Sequence, residues 1–287
     1  MADKHIDDVS GVETTGHEWD GIRELNNPLP RWWLWTFYAC IVWAIGYMVV
    51  YPAVPLLTGA TKGLLGYSSR AELAGEMAGA KTAQGAILEK ISASSLPEIL
   101  ADPQMAQFAT AAGAAAFKVN CVQCHGSGAT GGAGYPNLND DDWLWGGKAE
   151  DIHQTIAHGI RYADDAESRV SEMPAFADIL KPEEIREVSA YVVSLTGTPR
   201  NPAMVEPGNA LFADNCASCH GEDAKGNREF GAPNLADAIW LKVKGEDQIA
   251  AQVRQPKHGV MPAWQARLGD ATVKELAVYI HSLGGGE

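Results

Sequence analysis

The longest apolar run in the chain is Trp32 to Tyr51 (WWLWTFYACIVWAIGYMVVY), 20 residues without a charge. At the helical rise it spans about 30 Å, the thickness of a bilayer's hydrocarbon core, which predicts a membrane-spanning helix. Trp32, Trp33 and Trp35 cluster at one end and Tyr47 and Tyr51 at the other, as interfacial aromatic belts do. Pro52 and Pro55 stop the helix. A polar stretch precedes the run and no small-residue cleavage site follows it, so it reads as a retained anchor rather than a secretory signal. Ala53–Gly66 is apolar with Gly and Pro breaks and is expected to stay near the membrane surface. The pattern then turns helical, with Leu73, Met77, Leu88 and Ile91 at spacings of three, four or their multiples, predicting a connecting helix over Ser69–Ile91.

From about residue 108 the chain repeats itself. GAAAFKVNCVQCHG (Gly113–Gly126) and GNALFADNCASCHG (Gly208–Gly221) share Gly-x-x-x-Phe-x-x-x-Cys-x-x-Cys-His at an offset of 95 residues. Pro136-Asn137-Leu138 matches Pro233-Asn234-Leu235, His158-Gly159 matches His258-Gly259, and Met173-Pro174 matches Met261-Pro262. Thirteen residues, Ile160–Glu172, separate the His-Gly and Met-Pro signals in the first copy where Val260 alone does so in the second. This insertion is expected to form a surface loop. Each copy closes on a helix with Tyr-x-x-Ser-Leu, Tyr191–Leu195 and Tyr279–Leu283, and Thr196–Pro207 makes a Pro- and Gly-containing linker. The expected division is residues 1–31 as a tail and docking segment, 32–52 as the anchor, 53–107 as a connecting region, and domains over 108–199 and 206–287.

Composition narrows the classes. A chain of 287 residues has room for about two small domains, and 46% hydrophobic residues are too few for a polytopic membrane protein. The net charge of −14 disfavours nucleic acid; it keeps a protein soluble and equally suits a basic partner steered by electrostatics.

Four of the five cysteines form two Cys-x-x-Cys-His motifs, the attachment signal for haem c. On one helical turn the thiols reach the porphyrin's two vinyl groups and the histidine lies beneath the iron. Cys121, Cys124 and His125 would serve one haem and Cys216, Cys219 and His220 a second. Zinc would want four ligands at each site, a redox dithiol would want a thioredoxin-like context, and structural disulfides suit an oxidising compartment. Two copies inside one long repeat favour haem over all three. Met173 and Met261 are the methionines that recur at matching places, each in a Met-Pro loop, and thioether ligation opposite His raises the potential and leaves no open site. His158 and His258 also recur and leave bis-His ligation as an alternative; a His-Gly ending a helix, its ring bonded to backbone or a propionate, is the commoner role. Cys40 in the anchor reads as a small apolar filler. No substrate-binding catalytic constellation is present, so the chain on its own is not read as an enzyme.

Gly113 with Phe117 and Gly208 with Phe212 fall on each copy's first helix, and Tyr191 and Tyr279 on its last. Glycine permits a close helix crossing that an aromatic pair would lock, a pattern that resembles class I cytochrome c domains. Asn137, Leu138, Trp143, Trp145, Asn234, Leu235 and Trp240 would wall the pockets or serve as plain core. The predicted fold is therefore mostly α: one N-terminal transmembrane helix and two tandem cytochrome c-like all-α domains.

The segment DGIRELNNPLPR (Asp20–Arg31), leading into Trp32-Trp33 and an aromatic anchor, closely resembles the dihaem subunit of cbb3-type cytochrome c oxidases, called CcoP or FixP. The resemblance spans tail, anchor, connecting region and both haem domains. It implies a single-pass protein of a bacterial inner membrane, N-terminus cytoplasmic and haem domains periplasmic. It further implies two haem c groups that take electrons from a cytochrome c or a bc1 complex. From there electrons would pass to a monohaem cytochrome c subunit and the haem–copper subunit that reduces oxygen. A stand-alone membrane-anchored dihaem shuttle and a dihaem peroxidase are the rival readings. Spacing permits each methionine to serve its own copy's haem or its neighbour's.

Overall fold

The computed structural model describes residues 5–287, and two compact units meet within one helix, the boundary falling between Ala83 and Gln84. In the N-terminal unit, β1 (Thr14–Trp19) and β2 (Ile22–Leu25) pair antiparallel through Asp20-Gly21, with φ of +49° and +83°. Two consecutive left-handed residues are what a two-residue hairpin turn with matching strand twist demands. The expected tail thus carries a hairpin over residues 14–25, and an extended segment follows it into the anchor. Helix α1 (Arg31–Val50) has a mean hydropathy of 1.7 and buries none of its side chains. A helix apolar on every face is suited to lipid. β3 (Pro55–Leu56) and β4 (Gly59–Ala60) form a small hairpin, after which Leu64 and Leu65 donate to the carbonyls of Val49 and Val50. Carbonyls that every helix leaves unpaired at its end are satisfied this way. Helix α2 (Ser69–Ala93) follows where the spacing placed it.

The second unit is helical. Ser95 and Glu98 form a capping box on α3 (Leu96–Ala101), and the Asp102 carboxylate caps α4 (Pro103–Asn120) by accepting from Gln104 and Met105. Then come α5 (Val122–His125), α6 (Ala149–His158), α7 (Pro182–Ser194), α8 (Val205–Asn215), α9 (Ala217–His220), α10 (Glu246–Arg254), α11 (Gln265–Leu268) and α12 (Asp270–His281).

These helices enclose two apolar cores. One gathers Ile91, Phe117, Ile152, Ile156, Val273 and Leu276; the other gathers Phe176, Ile185, Val188, Phe212 and Ile249. The expected glycine crossings form, but between the copies rather than within them. Gly113 on α4 meets α12, where a Cβ would overlap the Glu275 carbonyl, and Gly208 on α8 meets α7, where it would overlap that of Glu187. The ring pairs are exchanged likewise: Phe117 packs on Tyr279 at 5.5 Å and Phe212 on Tyr191 at 5.1 Å. Chain order accounts for the exchange. Helices that follow one another in sequence tend to be neighbours in space, so α7 takes α8, and α4 is left for the last helix. The buried residues of one core are therefore continuous in sequence from Phe176 to Val253, while those of the other run over Ile91–Ala157 and resume at Val273.

The insertion Ile160–Glu172 is correspondingly no free surface loop. Ile160 bridges to both Arg169 and Met261, Ser168 is buried, and Arg169 lies over the Trp145 ring with a 3.1 Å bond to Asp151. The segment is one of two strands on which the chain passes between the cores.

Candidate functional site

Each Cys-x-x-Cys-His sequence folds as a short helix directly after a longer one. Cys121 ends α4 and Cys216 ends α8, each donating its backbone N–H to the phenylalanine four residues back. His125 and His220 close the turn by donating their N–H groups to the carbonyls of Cys121 and Cys216 at 2.9 and 3.0 Å. Both thiols of each motif are thereby held on one turn with the histidine beside them, as attachment to a single porphyrin requires.

The histidine rings are fixed in one tautomer. His125 Nδ1 donates to the Pro136 carbonyl at 3.3 Å and His220 Nδ1 to the Pro233 carbonyl at 3.1 Å. A carbonyl only accepts, so the proton lies on Nδ1 and the lone pair on Nε2, the arrangement a metal-ligating histidine takes from its outer partner. Burial lowers both imidazole pKa values, partly offset by those carbonyls, which keeps the rings neutral and ligand-competent at pH 7. The prolines begin the repeated Pro-Asn-Leu, whose recurrence was the one sequence signal for this role.

All five cysteines are free, and burial pushes Cys121 and Cys216 up to about 11. Reactive dithiols need the opposite shift. Among the described residues no three His, Cys, Asp or Glu side chains converge as a metal cage would need. Two thiols on one turn beside an imidazole whose Nε2 is free of a proton suit a planar group held by two thioethers and that imidazole.

Both methionines lie in the cores, on exchanged sides. Met261 packs into the core that holds Cys121, Val122 and Phe117, while Met173 packs into the one that holds Cys216, Ala217 and Phe212. His158 ends α6 with Nδ1 3.2 Å from Asp165 and Nε2 3.3 Å from Glu167, so its ring is engaged by carboxylates of the crossing strand. Of the expected pocket walls, Leu138 and Trp145 are buried, Trp143 packs on the first core, and Leu235 and Trp240 on the second. Asn137 and Asn234 instead accept backbone N–H groups from Asn139 and Ala236, turning the chain after each Pro-Asn-Leu.

Comparison with known proteins accounts for nearly the whole chain. The family model described as the N-terminal domain of cytochrome oxidase-cbb3, FixP, matches residues 11–58. That of the cbb3-type cytochrome c oxidase subunit III matches residues 108–192 and 203–280. The cbb3-type cytochrome c oxidase subunit FixP of Rhizobium meliloti (strain 1021) is 68% identical over the full length of both chains. Subunit CcoP of Cereibacter sphaeroides is 54% identical over 96% of this chain and 95% of its own.

Proposed function

The chain belongs to the FixP/CcoP family, subunit III of cbb3-type cytochrome c oxidases, and from that premise we propose that it is the dihaem electron-input subunit of such an oxidase. A haem c on each Cys-x-x-Cys-His helix supplies a one-electron centre when bound. Cys121 and Cys124 would tether one and Cys216 and Cys219 the other, with His125 and His220 as iron ligands. Met261 would supply the thioether at the first site and Met173 at the second, an exchange across the sequence copies. The observation that supports this reading is that each Cys-x-x-Cys-His turn shares a core with one methionine, Cys121 with Met261 and Cys216 with Met173. A histidine and a methionine on each haem would leave no open iron for a substrate, which suits electron carriage.

Helix α1 crosses the inner membrane, the hairpin lies on the cytoplasmic side, and both haem domains lie in the periplasm, where haem c is attached. A cytochrome c or a bc1 complex donates electrons. A monohaem subunit receives them and passes them to the haem–copper subunit. The chain catalyses no reaction by itself.

Purification from native membranes in mild detergent tests this. Copurifying haem b and haem c with cyanide-sensitive oxygen uptake on reduced cytochrome c is the expected result. Haem c alone without oxygen uptake, from membranes that respire normally, would leave a stand-alone shuttle.

A further inference from the structure

Arg161 stands where the chain passes between the two cores. Its Nε donates to the Gly259 carbonyl at 2.7 Å and its Nη1 to the Ser171 carbonyl at 2.8 Å. Gly259 lies two residues before Met261, and Ser171 two residues before Met173. One guanidinium thus grips equivalent positions on both methionine strands. The rigid fork of arginine suits this task in a way that a lysine point charge does not. The residue has φ +52°, left-handed backbone that a side-chain-bearing residue keeps only where its surroundings enforce it. Burial works against its charge and lowers its pKa, with Glu172 opposing that shift.

The two strands are not equally secured without it. Met261 exchanges both backbone hydrogen bonds with Ile160, at 2.9 and 3.0 Å, and Trp264 N–H donates to the carbonyls of Ile156 and Ala157 at 3.1 Å. Among the described residues, Ser171 to Ala175 make no backbone–backbone hydrogen bond, and the Ser171 carbonyl reaches only Arg161. We propose that Arg161 is the positioning residue for both axial methionines, and that Met173 depends on it more than Met261. This rests on the reading of Met173 and Met261 as iron ligands.

The test uses the full-length dihaem chain in detergent and the far-red absorption band of methionine-ligated ferric haem. In a Met261→Ala background only Met173 gives that band, and in a Met173→Ala background only Met261 does. Imidazole is titrated until half the band is lost, so ligand exchange at the second iron does not interfere. Arg161→Gln is expected to lower that concentration on the order of tenfold in the Met261→Ala background, the worth of one charge-assisted hydrogen bond. A clearly smaller change is expected in the Met173→Ala background. Equal shifts in both backgrounds, or none, overturn the proposal. Single methionine variants that keep the full wild-type band sink the ligand reading and this inference with it. Should Arg161→Gln not accumulate with both haems, Arg161→Lys replaces it. Lysine is expected to give the same order of effects, and behaviour identical to arginine refutes the fork.

Discussion

Glu275 is buried in α12 at 4% exposure, its Oε1 has no hydrogen-bond partner among the described residues, and desolvation raises its pKa from 4.5 to about 7. Its neighbour Lys274 is engaged elsewhere, with Asp270 and the carbonyls of Ser92 and Ser94. In the folded chain the carboxyl holds its proton above pH 4.5, whereas the unfolded chain releases it there. The folded state then binds the extra proton, so stability falls as pH rises from about 4.5 and the loss is complete above about 7. At about 1.4 kcal/mol per pH unit the full loss is about 3 kcal/mol. Glu275→Gln removes the titration. Thermal unfolding of parent and variant across pH 4 to 8 isolates the effect, because every other titrating group is common to both. A 3 kcal/mol difference corresponds to about 6–12 °C in a unit of this size, so the variant should gain that much over the parent between the two ends of the range. Parallel curves would show that the carboxyl finds water or a partner, and the reasoning would fail.

Further predictions concern the crossings and the sites. Gly113→Ala should destabilise by about 1–3 kcal/mol despite alanine's better helix propensity, since the added carbon meets backbone. Gly79→Ala, with open space around it in α2, should stabilise by about 0.5–1 kcal/mol; thermal melts compare the two, and equal signs would contradict the crossing. Phe212→Ala, removing a fully buried ring, should cost about 3–5 kcal/mol in the same assay. In a chain whose first haem site is deleted by Cys121→Ala and Cys124→Ala, Met173→Ala should abolish the methionine band and Met261→Ala should spare it. The reverse outcome would restore ligation within each copy.

Much of this was legible in the sequence because it rests on local rules. The uncharged run of α1, the helical spacing in α2 and the Cys-x-x-Cys-His turns each depend on residues close together in the chain. The exchange of helices was not legible, since both copies carry the same Gly-x-x-x-Phe and the same closing tyrosine. Nothing in those residues distinguishes one partner from the other; the order of the helices along the chain does. The insertion Ile160–Glu172 read as a surface loop because its charges looked solvated, yet Arg169 spends its charge on Asp151 and the Trp145 ring. The N-terminal hairpin did have a signal, Asp20-Gly21 between strand-forming residues, which the acidic composition masked.

The nesting of one core inside the other sets an order in time. Synthesis delivers Cys121 and Cys124 first, but the helix that covers their core, α12, is the last to emerge. The inner core, from Phe176 to Val253, is complete before that. Domains made of continuous chain close as they are synthesised, and pairings between distant segments wait. The first cysteine pair to appear is therefore the last to be enclosed by its own core.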